Sequence, residues 1–244
     1  MKQGIFKITE NKALTDCVYK MRLAGDVSDI TNAGQFINIK LDGLYLRRPI
    51  SVYDRDDESV TIIYKVVGKG TKLMSDMAVG ETLDVLTGLG NGYDISLCNE
   101  HAVLLGGGVG VPPLYMLAKK LIEQNKKVTV ILGFNTKSEV FCEEDFKALG
   151  ADVTVTTVDG SYGVKGFVTN ALPDNYDHFF TCGPEPMLKA VYKATNTSGQ
   201  FSFEERMGCG FGACMGCSCK TITGYKRICK DGPVMLKEEI LWED

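Results

Sequence analysis

Cys209, Cys214, Cys217 and Cys229 are the residues whose type and spacing speak most directly of chemistry. The run reads Cys-x4-Cys-x2-Cys, then eleven residues to the last cysteine. That is the ligand spacing of a plant-type [2Fe–2S] cluster. Thiolates must converge on two irons from one tight loop, and the bridging sulfides need backbone N–H donors close by. Gly208, Gly210, Gly212, Ala213 and Gly216 keep large side chains out of that approach. A zinc site of four cysteines is the competing reading, but it usually pairs two Cys-x2-4-Cys units, and Cys229 stands alone. Cys219 does not fit the pattern and reads as a spare thiol that would share a strand face with Cys217.

Two stretches could hold a flavin nucleotide. In Arg47-Arg48-Pro49-Ile50-Ser51, a guanidinium suits a pyrophosphate, and Ser51 follows a rigid proline toward a ring nitrogen. The plain alternative is a solvated arginine pair on an edge strand. Gly68-Lys69-Gly70-Thr71 follows the strand Ile63-Tyr64-Lys65 and opens a helix, whose first amides bind phosphate. An ordinary turn capped by Thr71 explains it as well.

Two further loops suit a nicotinamide nucleotide. Gly106 to Pro113 joins a strand to a helix, the context a dinucleotide loop requires. It is not the Rossmann fingerprint: the third glycine would fall at Val111, and Gly133-Phe134-Asn135 stands where an acid is expected. Cys182-Gly183-Pro184 closes another strand, and ligands gather at the carboxyl ends of parallel strands. Cys182 by itself reads equally as a buried small hydrophobe. His101 and His178 sit at strand starts, and no catalytic residue is assigned.

The elements that must position these groups fall into three segments. Residues 1–97 are short strands parted by Gly, Asp and Asn turns, which predicts an antiparallel β-barrel or sandwich. Residues 98–197 alternate buried-type strands with helices, which predicts a parallel α/β domain. Thr195 to Gln200 reads as a linker. Residues 198–244 are Gly- and Cys-rich and too short for a core of their own, so a metal staple is expected there. The fold class is therefore mixed β and α/β, with a small cluster-binding domain at the C-terminal end.

Composition narrows the function classes. The net charge of −4 over 244 residues offers no basic surplus for nucleic acid. No apolar run reaches the roughly 18 residues that cross a membrane. No signal peptide is read, so the expected compartment is the reducing cytoplasm, where nine cysteines with five close together point to metal.

The order of these pieces resembles the ferredoxin–NADP reductase superfamily. Arg48-Pro49-Ile50-Ser51 departs from its Arg-x-Tyr-Ser pattern at Ile50. With the cysteine run and Cys229-Lys230-Asp231-Gly232-Pro233, the whole chain is similar to the electron-transfer subunits of type B dihydroorotate dehydrogenases. The resemblance implies FAD on Arg48, Pro49, Ile50, Ser51, Ile63, Tyr64, Lys65, Gly70 and Thr71. It implies a nicotinamide nucleotide, NAD, at Gly107, Gly108 and Cys182, and one [2Fe–2S] cluster on the four thiols. It further implies an FMN-bearing catalytic partner, a heterotetramer with two copies of each subunit, and electrons running from dihydroorotate through that FMN, the cluster and FAD to NAD+. Small subunits of NADH-dependent ferredoxin–NADP oxidoreductases and sulfide dehydrogenases share the layout. Some of those replace a cluster cysteine with Asp, whereas all four stand here. A zinc-stabilised, non-redox binding module is the alternative of another class.

Overall fold

The computed structural model describes residues 1–242. Strands β1 (Lys2–Ala13), β2 (Val18–Ala24), β3 (Phe36–Lys40), β4 (Arg48–Arg55), β5 (Ser59–Lys65) and β6 (Thr82–Leu89) close a barrel in the order β1-β2-β5-β4-β3-β6. All its pairings are antiparallel. Alternation decides which side chains enter. On β3, Ile37 and Ile39 turn into the barrel, where each contributes about 2 kcal/mol by burial. Phe36 turns outward and packs with Cys217, Ile228 and Cys229. Helix α1 (Lys69–Asp76) follows β5.

The second body is a seven-stranded sheet. Its strands are β7 (His101–Gly107), β8 (Lys127–Phe134), β9 (Asp152–Thr157), β10 (Val164–Lys165), β11 (His178–Cys182), β12 (Gly199–Ser202) and β15 (Val234–Leu236). Their order is β10-β9-β8-β7-β11-β12-β15, parallel except for the last pair. Both faces are covered, as a parallel sheet requires. On β7, Ala102 and Leu104 pack with Leu117 and Leu121 of α2 (Tyr115–Glu123). Val103 and Leu105 pack with Leu188 and Val191 of α4 (Glu185–Ala194). Helix α3 (Glu143–Ala148) precedes β9. No helix among the described residues is long and apolar enough to cross a membrane.

The tail departs from the sequence expectation. The stretch read as a linker supplies Gly199 and Gln200 to strand β12. The segment read as needing a metal staple returns to the sheet through β15, where Phe201 pairs with Met235. The thiol-bearing loop and the hairpin of β13 (Ser218–Thr221) and β14 (Gly224–Arg227) hang between these two strands. Phe201, Ile228 and Met235 share one apolar cluster with the sheet, so the tail borrows its core.

Candidate redox site

The four thiols come as two pairs. Ala213 N–H and Cys214 N–H donate to the Cys209 sulfur at 3.2 and 3.4 Å, and Cys209 N–H donates to the Cys214 sulfur at 3.4 Å. Cys229 N–H donates to the Cys217 sulfur at 3.5 Å. Cys217 and Cys229 are buried, whereas Cys214 is exposed. Burial alone would push the Cys209 thiol up, but N–H donors from Phe211, Cys214 and Ala213, with the Cys214 thiol, bring it down to about 6. Burial and the neighbouring Cys217 push the Cys229 thiol up to about 12. Among the described residues, no three His, Cys, Asp or Glu side chains gather as around one metal ion. Two thiolates per iron is the division a [2Fe–2S] cluster needs, and loop N–H groups aimed at sulfur suit its charge. The donor set therefore fits that cluster. Arg227 braces the loop by donating to the Gly212 carbonyl at 2.8 Å while paired with Asp231. Cys219 points elsewhere, with its sulfur 3.9 Å from that of Met235.

The flavin candidates meet at the mouth of the barrel. Arg48 lies across Gly70, so close that a Cβ there would strike the guanidinium. Its Nη1 donates to the carbonyl of Leu46 at 2.5 Å and weakly to that of Arg47. Nε and Nη2 find no acceptor among the described residues, and they face the first turn of α1. A guanidinium with open donors beside helix N-terminal amides fits a pyrophosphate. Arg47 does something else: it forms an ion pair with Asp84 at 3.0 Å and donates to the carbonyls of Asn38 and Asp84. The Thr71 hydroxyl accepts from Val67 N–H and Gly68 N–H, so it shapes the turn. Tyr64 is buried, with its hydroxyl on Asn11 at 3.2 Å. Ile63 is buried beside it, while Lys65 is exposed. Register puts Ser51 opposite Phe36 and Pro49 opposite Asn38. These four side chains share the outer face of β3 and β4, which is the face that meets the thiol loop.

The two nucleotide loops lie side by side. Gly106 pairs with Cys182 and Gly107 with Gly133, all at carboxyl ends of parallel strands. A Cβ on Gly110 would collide with the backbone of Cys182 and Gly183. Burial pushes the Cys182 thiol up to about 12, so it remains a neutral wall. Gly108, Val109 and Lys65 line one groove between barrel and sheet, with Cys17, Phe134 and Glu139. The glycine loop and the flavin strand thus border the same narrow groove.

The comparisons follow this geometry. The family model for the iron–sulfur cluster binding domain of dihydroorotate dehydrogenase B matches residues 204–241. That for the oxidoreductase NAD-binding domain matches residues 104–193. The dihydroorotate dehydrogenase B (NAD(+)) electron transfer subunit of Bacillus pumilus is 46% identical, over 98% of each chain. The subunit of the same name from Fusobacterium nucleatum is 46% identical over 96% of each chain. The chain belongs to this family of electron-transfer subunits. Among solved structures, a chain of an NADH-dependent reduced ferredoxin–NADP oxidoreductase superposes with a TM-score of 0.90 at 31% identity, covering 98% of this chain and 90% of that one. The FAD/NAD-binding domain of a nitric oxide dioxygenase from Vibrio cholerae, at 24% identity and TM-score 0.68, shares the fold, covering 79% of this chain and 92% of that one.

Within this electron-transfer subunit, the sequence reading overlooked two residues. Glu139 folds back to accept from Asn135 N–H at 3.1 Å and Asn135 Nδ2 at 2.9 Å, so a carboxylate does stand at the end of β8. It was concealed because it arrives four residues late. Asn38 is a buried amide on the face that meets the thiols. Its signal was an uncharged polar residue between two isoleucines in the β-rich run Phe36 to Leu41. The two histidines hold structure: His101 bonds Thr129 and His178 bonds Gln200.

Proposed function

We propose that this chain is the electron-transfer subunit of an NAD+-linked dihydroorotate dehydrogenase in de novo pyrimidine synthesis. It works beside an FMN-bearing catalytic subunit, two copies of each forming the assembly in the cytoplasm. The observation that carries this reading is the shared outer face of β3 and β4, with Pro49 and Ser51 at one side and the cysteine loop at the other. When bound, FAD exchanges electrons singly with a [2Fe–2S] cluster and in pairs, as hydride, with NAD+. The residues divide that labour. Cys209 and Cys214 would supply the more exposed thiolates to the cluster, and Cys217 and Cys229 the buried ones. Arg48 and the first turn of α1 bind the FAD pyrophosphate, while Ser51 and the strand Ile63 to Lys65 orient the ring. Gly107, Gly108 and the partly buried Cys182 form the shelf for the nicotinamide nucleotide. Residues 1–97, 98–197 and 198–244 are the corresponding flavin, nicotinamide and cluster segments.

The bifurcating oxidoreductase chain is a close structural likeness, but its 31% identity stands against 46% for the dihydroorotate dehydrogenase subunits. Affinity capture at native expression tests the assignment. Recovery of an FMN-bearing dihydroorotate dehydrogenase supports it, with about one FAD and two irons per copy of this chain. Recovery of a larger, glutamate-synthase-like flavoprotein overturns it.

A further inference from the structure

One buried amide stands between the barrel and the thiol loop. Asn38 is 1% exposed, and its Nδ2 donates to the carbonyl of Cys209 at 3.3 Å. Its Oδ1 is buried without a hydrogen-bond partner among the described residues. Turning the amide over would set two acceptors face to face, so the chemistry fixes its orientation. A buried unsatisfied acceptor is costly, and its neighbour on the same strand face is the apolar Phe36. Among the described residues, the one hydrogen bond this side chain makes is to Cys209. Gly210, at φ +79°, passes so close that a Cβ would strike Nδ2, so the loop is moulded around this side chain. The strand beneath is held as well: Arg47 donates to the Asn38 carbonyl at 3.3 Å and is paired with Asp84. Pro49 lies directly across from Asn38.

We infer that Asn38 is a positioning residue for electron passage: its amide fixes the Cys209 corner of the thiol loop against the outer face of β3 and β4. The inference rests on the assignment of the four thiols to a [2Fe–2S] cluster. It adds that the distance and orientation between cluster and flavin strand are set by a residue that is itself no ligand of the cluster. Cys209 belongs to the more exposed pair, so the tie acts where burial by the rest of the protein is least.

The test uses the full-length holoprotein and two variants. Asn38→Leu removes both polar atoms. Asn38→Asp keeps the size and, measured at about pH 9 so that the carboxyl is ionised, offers acceptors only and repels the Cys209 carbonyl. Electron paramagnetic resonance of the dithionite-reduced protein reads the cluster environment, and iron release to a ferrous chelator reads how firmly the loop is held. Both variants are expected to shift the g-values and to release iron about fivefold faster, the rate equivalent of one ordinary hydrogen bond. Gly210→Ala, which displaces the amide from the other side, is expected to give the same signature. Native-like spectra and release rates in Asn38→Asp overturn the inference, because packing alone then explains any effect of Asn38→Leu. Should Asn38→Leu fail to fold, the near-isosteric Asp variant still decides. A native protein without a [2Fe–2S] signal would instead overturn the cluster assignment itself.

Discussion

Arg47 and Arg48 are adjacent in sequence and have different work. Arg47 is spent on Asp84 and two carbonyls of the barrel wall, whereas Arg48 keeps two donor atoms open beside Gly70. Arg48→Ala is expected to weaken FAD binding about tenfold or more, as loss of a charged hydrogen-bonding partner does, with the melting temperature nearly unchanged. Equilibrium dialysis of the apoprotein against FAD checks this. Arg47→Ala is expected to do the reverse, lowering stability with little change in flavin affinity. The thiols make a similar contrast. Cys217→Ser is expected to abolish the [2Fe–2S] absorption, and Cys219→Ser to leave it intact, because Cys219 packs on Met235. The sequence made the cysteine spacing legible because covalent ligands impose it locally. It could not separate Arg47 from Arg48, because the acid that claims Arg47 lies on β6, far along the chain.

The elements matter through where they end. Strands β7 and β11 finish in register, which brings Gly106 and Cys182 together and wedges Gly110 under the Cys182 carbonyl. Gly110→Ala is expected to push these loops apart and raise the KM for NADH about tenfold, an ordinary cost of overpacking at a backbone contact. The starts of the same strands are clamped by Asp177, whose carboxylate accepts from the N–H groups of Asn99, Glu100 and His101 at 2.7 to 2.9 Å. Partial burial opposes the charge, but these three donors outweigh it and hold the carboxyl below its ordinary 3.8. A lowered folded pKa means the clamp stabilises fully above about pH 4 and is lost as pH falls below it. Asp177→Ala is therefore expected to cost about 1–2 kcal/mol near neutrality after allowance for solvent, and less as acid protonates the carboxyl. Urea titrations at pH 7 and pH 3 check both halves. The parallel alternation of strand and helix was readable from residue 98 onward, because each buried strand is a short apolar run. The role of β12 was not, since four residues of mixed polarity become a strand only when β11 is beside them.

At the scale of the molecule, barrel and sheet are locked by a few specific contacts. Tyr53 of the barrel stacks on Tyr115 with ring centroids 4.3 Å apart, and its hydroxyl donates to Asp145 at 2.8 Å. Lys119 pairs with Asp54 beside it at 3.3 Å. Tyr53→Phe keeps the stack and loses the bond, so it is expected to cost about 1 kcal/mol and lower the melting temperature by about 2–4 °C. Scanning calorimetry checks this. The joining of the tail to the sheet has a further consequence. A loop carried between β12 and β15 has its ends held by the sheet. The pairing of β12 with β15 is made by backbone hydrogen bonds and involves none of the four thiols. Stripping the iron with a chelator is accordingly expected to leave the main unfolding transition in place, and reconstitution under anaerobic conditions to restore the colour without denaturing the chain.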